Sequence, residues 1–231
     1  MEVDGVVQDV VLKGMAMDYR SSEAYKTLRT NIEFSGSDKK VIVFTSCTAS
    51  EGKSTVSFSV AASLAEGGKR VLFIDADLRK SVLAGRYKIG KEVKGLSHFL
   101  SGQAKFEEVL VKTSEQRLYA IFAGIIPPNP AELLENKSFE ALLRETRKVY
   151  DYVIIDAPPL GSVIDGAIIA KHCDAAIMVI SANAISRKFA RDVKRQLEKT
   201  GCPIIGAVLN KVNLKQDKYY GKYYGKYYGK S

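Results

Sequence analysis

CTASEGKST (residues 47–55) follows the apolar run VIVFTS (41–46) and leads into the helical pattern STVSFSVAASLAEGG (54–68). A buried strand therefore ends in a turn that carries Lys53 and Ser54 into the start of a helix. Backbone N–H groups at a helix N-terminus, a lysine charge and a hydroxyl are the groups that bind phosphate oxygens and magnesium. The stretch predicts a phosphate-binding loop at the start of an α/β domain.

The loop departs from the strict pattern G-x-x-x-x-G-K-[ST]. Cys47 replaces its first glycine, whereas Gly52 keeps the second. An ordinary turn into a helix is the competing interpretation. The buried strand before the loop and the apolar helix after it favour the phosphate-binding interpretation.

Short apolar runs alternate with helical patterns along the chain, as in βαβ units. Strands are predicted at 41–46, 70–76, 119–124, 152–157, 175–181 and 204–210. Besides the helix at 54–68, helices are predicted at 131–150, at 186–201 and at 21–34, the last with Ser21 or Ser22 as cap and outside the βα core. Residues 80–118 predict only short helices around GLSHFLSG. Because the strands are apolar almost throughout, we expect an α/β fold with a mainly parallel sheet and helices on both faces.

Composition limits the class of protein. The chain has 231 residues, 46% of them hydrophobic and 26% charged, which is typical of one or two globular domains. It shows neither a secretory signal nor an apolar run of about 18 residues, so we expect a cytoplasmic protein. Three cysteines without a CxxC pair argue against a disulfide framework and a thiolate metal site.

The formal charge of +9 is concentrated in part at the C-terminus. Residues 218–231 hold four lysines and no acid, which leaves +5 on the rest of the chain. A basic tail of this kind gives little support to nucleic-acid binding by the domain. We expect no nucleic-acid partner.

Acidic residues end two further predicted strands. Asp75 and Asp77 close the run VLFIDADLR, and Asp156 closes YVIIDAPP. Ligands of open α/β sheets bind at the carboxyl ends of the strands, although each acid alone fits an ordinary loop or helix cap. Together with Lys53 and Ser54 they form the set of charges that phosphoryl transfer requires.

These motifs resemble those of the bacterial tyrosine autokinases of capsule and exopolysaccharide assembly. The resemblance rests on GKST, VLFIDADLR, IPPNPAELL (126–134), YDYVIIDAPP and GAVLN (206–210), and covers most of residues 20–231. It implies a P-loop NTPase-like fold of the deviant Walker A subclass, an ATP-dependent protein-tyrosine kinase, and ATP and Mg²⁺ as cofactors. The Pro-Gly that usually precedes the family's loop glutamate is replaced here by Ala49 and Ser50.

The resemblance also implies roles for individual residues. Lys53 contacts the β and γ phosphates, and Asn210 contacts the adenine. The full set of implied nucleotide-binding residues is Glu51, Gly52, Lys53, Ser54, Thr55 and Asn210. Magnesium is held by Ser54, Asp77 and Asp156. Asp75 is the alternative to Asp77 at the metal: one of the two helps to bind it and the other orients or deprotonates the attacking phenol, and the sequence leaves their assignment open. Arg79 either steadies the phosphates or forms a surface ion pair.

The C-terminal segment KYYGKYYGKYYGKS repeats a four-residue unit three times and holds six of the twelve tyrosines. We predict that these six are the phosphoacceptors: Tyr219, Tyr220, Tyr223, Tyr224, Tyr227 and Tyr228. A nucleic-acid or lipid-binding tail is the competing interpretation. Phosphorylation would change the tail charge from +4 to about −5 to −8.

An assembly is implied by the family's E-x-x-R-x-x-R motif, whose spacing is kept by Glu23, Lys26 and Arg29. These three lie on one helical face, so an interface within a ring of identical subunits is expected, although an ion-pair network within one helix also fits. The predicted organisation is an N-terminal segment with this helix at 1–35, a kinase domain at 36–214 and a tyrosine-rich tail at 215–231. The expected partners are a membrane polysaccharide co-polymerase, which recruits the kinase to the inner face of the membrane, and a cognate tyrosine phosphatase.

Other functions compatible with the fold remain as alternatives. A switch ATPase of the septum-positioning or plasmid-partitioning type carries a loop lysine that would fall at position 48, where this chain has Thr48. A metal-cluster carrier of related fold needs a cysteine pair that is missing. An interaction protein without catalysis remains if the loop substitutions disable the site.

Overall fold

The computed structural model of the chain describes residues 8–11, 18–87, 89 and 93–213. Eight strands lie within these residues: β1 Gln8–Val10, β2 Val41–Ser46, β3 Val71–Asp75, β4 Val111–Thr113, β5 Leu118–Ile121, β6 Tyr152–Asp156, β7 Ala175–Ser181 and β8 Ile204–Asn210. They form one sheet in the order β1-β4-β5-β3-β6-β2-β7-β8. All neighbours pair in parallel except β4 and β5, which confirms the mainly parallel sheet.

Helices cover both faces of this sheet. Within the same ranges they are α1 Tyr19–Phe34, α2 Lys53–Glu66, α3 Leu83–Arg86, α4 Leu96–Leu100, α5 Phe106–Val109, α6 Pro130–Glu135, α7 Lys137–Val149, α8 Asp165–Ala170 and α9 Arg187–Glu198. Side chains of α1 to α3 join one hydrophobic core, and those of α4 to α9 join the other. No helix in the described part of the chain combines the length and apolarity needed to cross a membrane.

Central strands are buried on both sides. Val41 and Val43 of β2 face the core that contains α4 to α9, whereas Ile42 and Phe44 face the core that contains α2. All four side chains are fully buried. Alternate residues of a strand point to opposite faces, so the continuous apolar runs in the sequence follow from two-sided burial, as predicted.

The three central strands β3, β6 and β2 end at the same edge of the sheet. Their register pairs Asp75 with Asp156, and Phe44 with the same Asp156. The loop between β2 and α2 begins at this edge. The fold therefore gathers the predicted acids and the phosphate loop in one place.

The helix predicted at 131–150 is two helices, α6 and α7, separated at Asn136. The Asn136 side chain accepts hydrogen bonds from the N–H groups of Ser138 and Phe139, and its amide donates to the carbonyl of Leu100. Asparagine is a strong N-cap because its side chain replaces the missing backbone acceptors. The prediction of one continuous helix was wrong because the periodicity continues across this cap.

The first helix begins earlier than predicted. Its cap is Asp18, whose side chain accepts from the backbone N–H of Ser21, so neither Ser21 nor Ser22 is the cap. The helix lies outside the βα units, as expected, but it packs on α2. Ile32 is 2% exposed in the core there.

The remaining differences between the predicted and the observed elements concern short strands and helices. The strand predicted at 119–124 ends at Ile121, and β1, β4, α3, α5 and α8 have too few residues to produce a periodic pattern. The α4 helix confirms the short helix predicted around GLSHFLSG. The six tail tyrosines predicted as phosphoacceptors lie outside the described residues.

Candidate active site

The phosphate loop combines a left-handed backbone with an open helix start. Ser50 and Gly52 have φ values of 63° and 87°. A Cβ at Gly52 would lie 2.2 Å from the Asn210 side-chain nitrogen, so this position requires glycine. No side chain caps the α2 helix at Gly52. The first N–H groups of α2 therefore remain available for an anion.

Lys53 projects into a group of carboxylates. Its side chain is 6% exposed, and its Nζ lies 2.7 Å from Asp156 Oδ1 and 4.0 Å from Asp77 Oδ2. Nζ also lies 3.4 Å from the Ser54 hydroxyl. The structure thus brings Lys53 together with three predicted metal ligands. These are Asp77 and Asp156, at the ends of two strands, and the hydroxyl of Ser54.

Asp75 and Asp156 form a close acidic pair beside this lysine. Asp75 is 1% exposed and accepts hydrogen bonds from the Asp77 N–H and the Ser81 hydroxyl. Burial, and then the negative charge of Asp156, raise the pKa of Asp75 to about 7. An acid with such a pKa exchanges a proton near neutral pH, which is the property of a general base.

The acidic edge fits a magnesium ion. Asp156 Oδ1 receives hydrogen bonds from Lys53 and from the Ser57 hydroxyl, whereas its buried Oδ2 has no hydrogen-bond partner. Among the described residues, no group of three or more His, Cys, Asp or Glu side chains forms a metal cage. Mg²⁺ commonly binds through one or two carboxylates together with substrate phosphates and water, and needs no such cage.

Glu51 holds the loop from inside. The residue is 2% exposed, and its Oε2 accepts hydrogen bonds from the N–H groups of Cys47 and Thr48 at 2.7 and 2.8 Å. Its Oε1 accepts from the N–H of Ser181, at the end of β7, at 3.1 Å. The carboxylate therefore ties the phosphate loop to a neighbouring strand, a contact that the sequence did not reveal.

The end of β8 closes over the same loop. The Asn210 side chain donates to the Glu51 carbonyl at 2.9 Å, and Lys211 Nζ donates to the Ser50 carbonyl at 2.7 Å. Asn210 thus lies at the loop, where its predicted contact with adenine remains a prediction. Thr55 is exposed, and its hydroxyl accepts from Arg86.

Arg79 forms an ion pair with Asp165 at the start of α8. Two hydrogen bonds of 2.7 and 3.0 Å join the guanidinium to this fully buried carboxylate. The ion-pair interpretation of Arg79 is therefore the one that the structure shows, with a buried acid as partner. Sequence reasoning missed Asp165 and also Ser57, although Ser57 lies one helical turn after Lys53 and thus on the same face.

The predicted oligomerisation residues make contacts within the subunit. Glu23 and Lys26 form an ion pair of 2.8 Å along α1, and Arg29 donates to the Ser63 carbonyl of α2 at 2.6 Å. The contact between Glu23 and Lys26 is the one expected of a network within one helix. Their part in a subunit interface remains a prediction.

The cysteines are free thiols. Burial, followed by the charge of Glu51, raises the pKa of Cys47 to about 11. Burial also raises the pKa of Cys173, and that of Cys202 to about 11. Thiols of this kind are poor nucleophiles, which fits a structural role.

Replacing Asp75 with Asn is expected to stabilise the nucleotide-free protein at pH 8. The folded-state pKa of about 7 lies above the ordinary 3.8, so the folded protein binds more protons than the unfolded chain between these values. Its stability therefore falls as pH rises from about 4 to 7. The neutral amide removes this loss, which amounts to roughly 2–4 kcal/mol at pH 8.

Urea unfolding of the wild-type and Asp75→Asn proteins at pH 5 and pH 8 measures the effect. The exposed Glu107→Gln variant is the control and should follow the wild type at both pH values. Equal pH dependence in the wild-type and Asp75→Asn proteins would contradict the raised pKa.

A comparison with protein families matches residues 39–200 to the model described as an AAA domain. Among curated proteins, the tyrosine-protein kinase CpsD of Streptococcus agalactiae serotype III (strain NEM316) is 43% identical over 194 residues, which are 84% of this chain and 84% of that protein. The tyrosine-protein kinase YwqD of Bacillus subtilis (strain 168) is 38% identical over 203 residues, covering 87% of this chain and 85% of that protein.

Comparison with solved structures agrees with these sequence matches. The kinase domain of the Escherichia coli tyrosine kinase ETK superposes with a TM-score of 0.79 at 33% identity, over 83% of this chain and 75% of that one. The chimerical protein CapA2B2 gives a TM-score of 0.80 at 28% identity, over 89% and 93% of the two chains. The septum site-determining protein MinD of Pyrococcus horikoshii shares the fold, with a TM-score of 0.65 at 24% identity over 75% and 71% of the two chains.

Proposed function

Because this chain belongs to the family of bacterial tyrosine-protein kinases, we propose that it transfers phosphate from ATP to the tyrosines of its own C-terminal tail. The observation that carries the proposal is the buried Lys53 at the start of α2, 2.7 Å from Asp156 and 4.0 Å from Asp77. A lysine, a helix N-terminus and strand-end carboxylates are what phosphoryl transfer needs, because positioning and charge neutralisation provide most of its catalysis.

Binding of the nucleotide follows from the loop. Lys53 and the free N–H groups of α2 hold the phosphates, and Asn210 lies where the end of β8 meets the loop. The hydrogen bonds of Glu51 hold the loop in the conformation in which Ser50 and Gly52 have positive φ values. Its part in nucleotide binding is therefore indirect, since its oxygens are already engaged by N–H groups of the protein.

Magnesium would be held by Ser54, Asp77 and Asp156, in agreement with the unpartnered Asp156 Oδ2. The ion would neutralise charge on the transferred phosphoryl group. In the proposed reaction Asp75 takes the proton of the attacking phenol. Burial and the charge of Asp156 raise the pKa of Asp75 to about 7, which suits a base, and we assign Asp77, whose Oδ2 lies 4.0 Å from Lys53 Nζ, to the metal. A base is needed because free tyrosine has a pKa of about 10.

The length of the tail allows phosphate transfer from one subunit to the tail of another. Fourteen extended residues reach at most roughly 50 Å. Within an oligomer that reach gives an effective concentration that can be on the order of millimolar. We propose a homo-oligomeric ring in which one subunit modifies the tail of its neighbour, with Glu23, Lys26 and Arg29 at the interface.

The cellular role follows from the relatives. The resemblance to capsule and exopolysaccharide kinases supports control of polysaccharide polymerisation or export at the inner face of the membrane. A membrane co-polymerase would recruit and activate the kinase, and a tyrosine phosphatase would reset the tail. The switch-ATPase alternative has less support, because MinD is the more distant relative and Thr48 replaces the lysine of that class.

Replacing all six tail tyrosines with Phe is expected to remove most of the phosphate incorporated from ATP, while transfer to an added tyrosine peptide persists. The tail lies outside the catalytic loop, so the variant keeps the site intact. Mass spectrometry of the full-length protein after incubation with magnesium ATP identifies the phosphorylated tyrosines and measures the phosphate at each.

A matched control replaces six tyrosines of the domain instead: Tyr19, Tyr25, Tyr87, Tyr119, Tyr150 and Tyr152. Each change is Tyr→Phe and removes only a hydroxyl group, so this variant should still label its tail. Undiminished labelling of the tail variant would place the acceptor elsewhere in the chain.

A further inference from the structure

The α9 helix exposes a continuous basic face. Val193 and Leu197 on its inner side are 2% and 0% exposed. The outer side, together with the residue that caps it, carries six exposed cations, which we call the α9 basic face: Arg187, Lys188, Arg191, Lys194, Arg195 and Lys199. The proposed reaction uses none of them.

Charge on this face is only partly neutralised. Two acids of the same helix pair locally, Glu198 with Lys194 and Asp192 with Arg195. Arg187, Lys188 and Arg191 have no ion-pair partner within the described part of the chain. Six cations against two acids leave a net charge of +4 over 13 residues. Such a face fits an anionic partner.

The last strand, which precedes the C-terminal tail in the sequence, ends beside the segment that leads into this helix. The backbone N–H of Ala182, just after β7, donates to the carbonyl of Asn210 at the end of β8. From Ala182 the chain needs only five further residues to begin α9. From Asn213 the chain needs six to reach Tyr219, a span of at most roughly 20 Å. The end of β8, from which the sequence continues into the tail, and the start of α9 therefore lie at the same edge of the sheet.

The α9 basic face matches the phosphorylated tail in the spacing of its charged groups and in the sign of its charge. Successive tyrosine pairs lie four residues apart, about 13 Å in an extended chain. Arg187 and Arg195 lie about 12 Å apart along the helix axis. The unmodified tail has the same sign of charge as the face, whereas six phosphates give the tail about −5 to −8. The face would thus repel the substrate and attract the product.

We propose that the α9 basic face binds the phosphorylated tail, from its own subunit or from a neighbour. Guanidinium groups bind phosphate oxygens in a bidentate manner, which suits the arginines at 187, 191 and 195. This inference rests on the proposed function, because the kinase supplies the phosphotyrosines. Docking there holds the finished tail outside the catalytic site and leaves that site free for an unmodified one.

A binding experiment tests this surface without using the kinase activity. A fluorescent synthetic peptide of residues 218–231 with all six tyrosines phosphorylated is titrated with the full-length, ATP-free protein at 0.15 M salt, and anisotropy gives Kd. The triple variant Arg187→Glu, Lys188→Glu, Arg191→Glu should raise Kd at least about tenfold, since each lost phosphate contact and each reversed charge weakens binding. The unphosphorylated peptide should bind at least about tenfold more weakly than the phosphopeptide.

The matched control reverses three exposed cations outside α9: Lys105, Lys112 and Lys137. It changes the net charge equally and should bind the phosphopeptide as the wild type does. Equal weakening by both triple variants would overturn the proposal, because binding would then follow net charge alone. Loss of binding to anionic phosphatidylglycerol vesicles in the α9 variant, with no phosphopeptide binding by the wild type, would assign the face to lipid instead. Because the peptide is phosphorylated chemically, a failure of tail autophosphorylation leaves this result unaffected.

Discussion

Lys53→Met is expected to lower tail phosphorylation at least about a hundredfold, because the variant loses the charge that holds the transferred phosphates. The ammonium is buried beside Asp156 and Asp77, so no solvent cation takes its place without rearrangement. Methionine has a similar length but no donor. Quantitative phosphotyrosine detection over time, at saturating magnesium ATP, measures the loss.

Removing this cation also leaves Asp156 beside Asp75 without its partner. Breaking a buried pair in this way is expected to cost about 3 kcal/mol of unfolding free energy. The double variant Lys53→Met, Asp156→Asn removes the unpaired charge and should recover most of that stability without recovering activity. Recovery of labelling in the double variant would contradict a catalytic role for Lys53. Lys80→Met, on the exposed surface nearby, should label normally.

Glu51→Gln is expected to be the most damaging isosteric change in the phosphate loop. The two carboxylate oxygens accept three backbone hydrogen bonds, whereas an amide turns one of the acceptors into a donor that faces an N–H group. We expect the unfolding free energy to fall by roughly 2–4 kcal/mol, since bonds to a charged acceptor are each worth about 1.5–3 kcal/mol. Phosphorylation should fall at least about tenfold because the loop loses its tie to β7.

Urea unfolding and nucleotide affinity measure the two effects separately. Glu66→Gln, at the exposed end of α2, provides the control and should match the wild type in both. Wild-type stability in Glu51→Gln would show that the loop holds its shape without this carboxylate. Weakened nucleotide binding at unchanged stability would place Glu51 at the ligand instead.

Local sequence patterns were sufficient for the main features of the fold. The strands at 41–46, 175–181 and 204–210 have the predicted bounds, because each is a short, mainly apolar run rich in strand-forming residues. The periodicity of the helix at 131–150 hid the break at Asn136. A cap acts through one side chain and its backbone partners, and hydrophobic spacing does not report it.

In the candidate site, too, the sequence revealed the residues that a local pattern marks but not the contacts between distant residues. Lys53, Ser54, Asp75, Asp77 and Asp156 were found because each lies at a strand end or helix start that the sequence marks. The partners of Glu51 and Arg79 were not found. Glu51 meets Ser181 across 130 positions of the chain, and Arg79 meets Asp165 across 86. Such pairs depend on how the elements pack, which the spacing of residues in one segment does not reveal.

The most direct test of the account is to incubate the purified full-length protein with magnesium ATP, with and without the cytoplasmic segment of a membrane co-polymerase. Released phosphate and phosphotyrosine are measured in the same sample. The account predicts phosphotyrosine at Tyr219, Tyr220, Tyr223, Tyr224, Tyr227 and Tyr228 in at least one condition, and none in Lys53→Met. Steady release of phosphate with no phosphotyrosine in either condition would contradict the kinase assignment and indicate a switch ATPase.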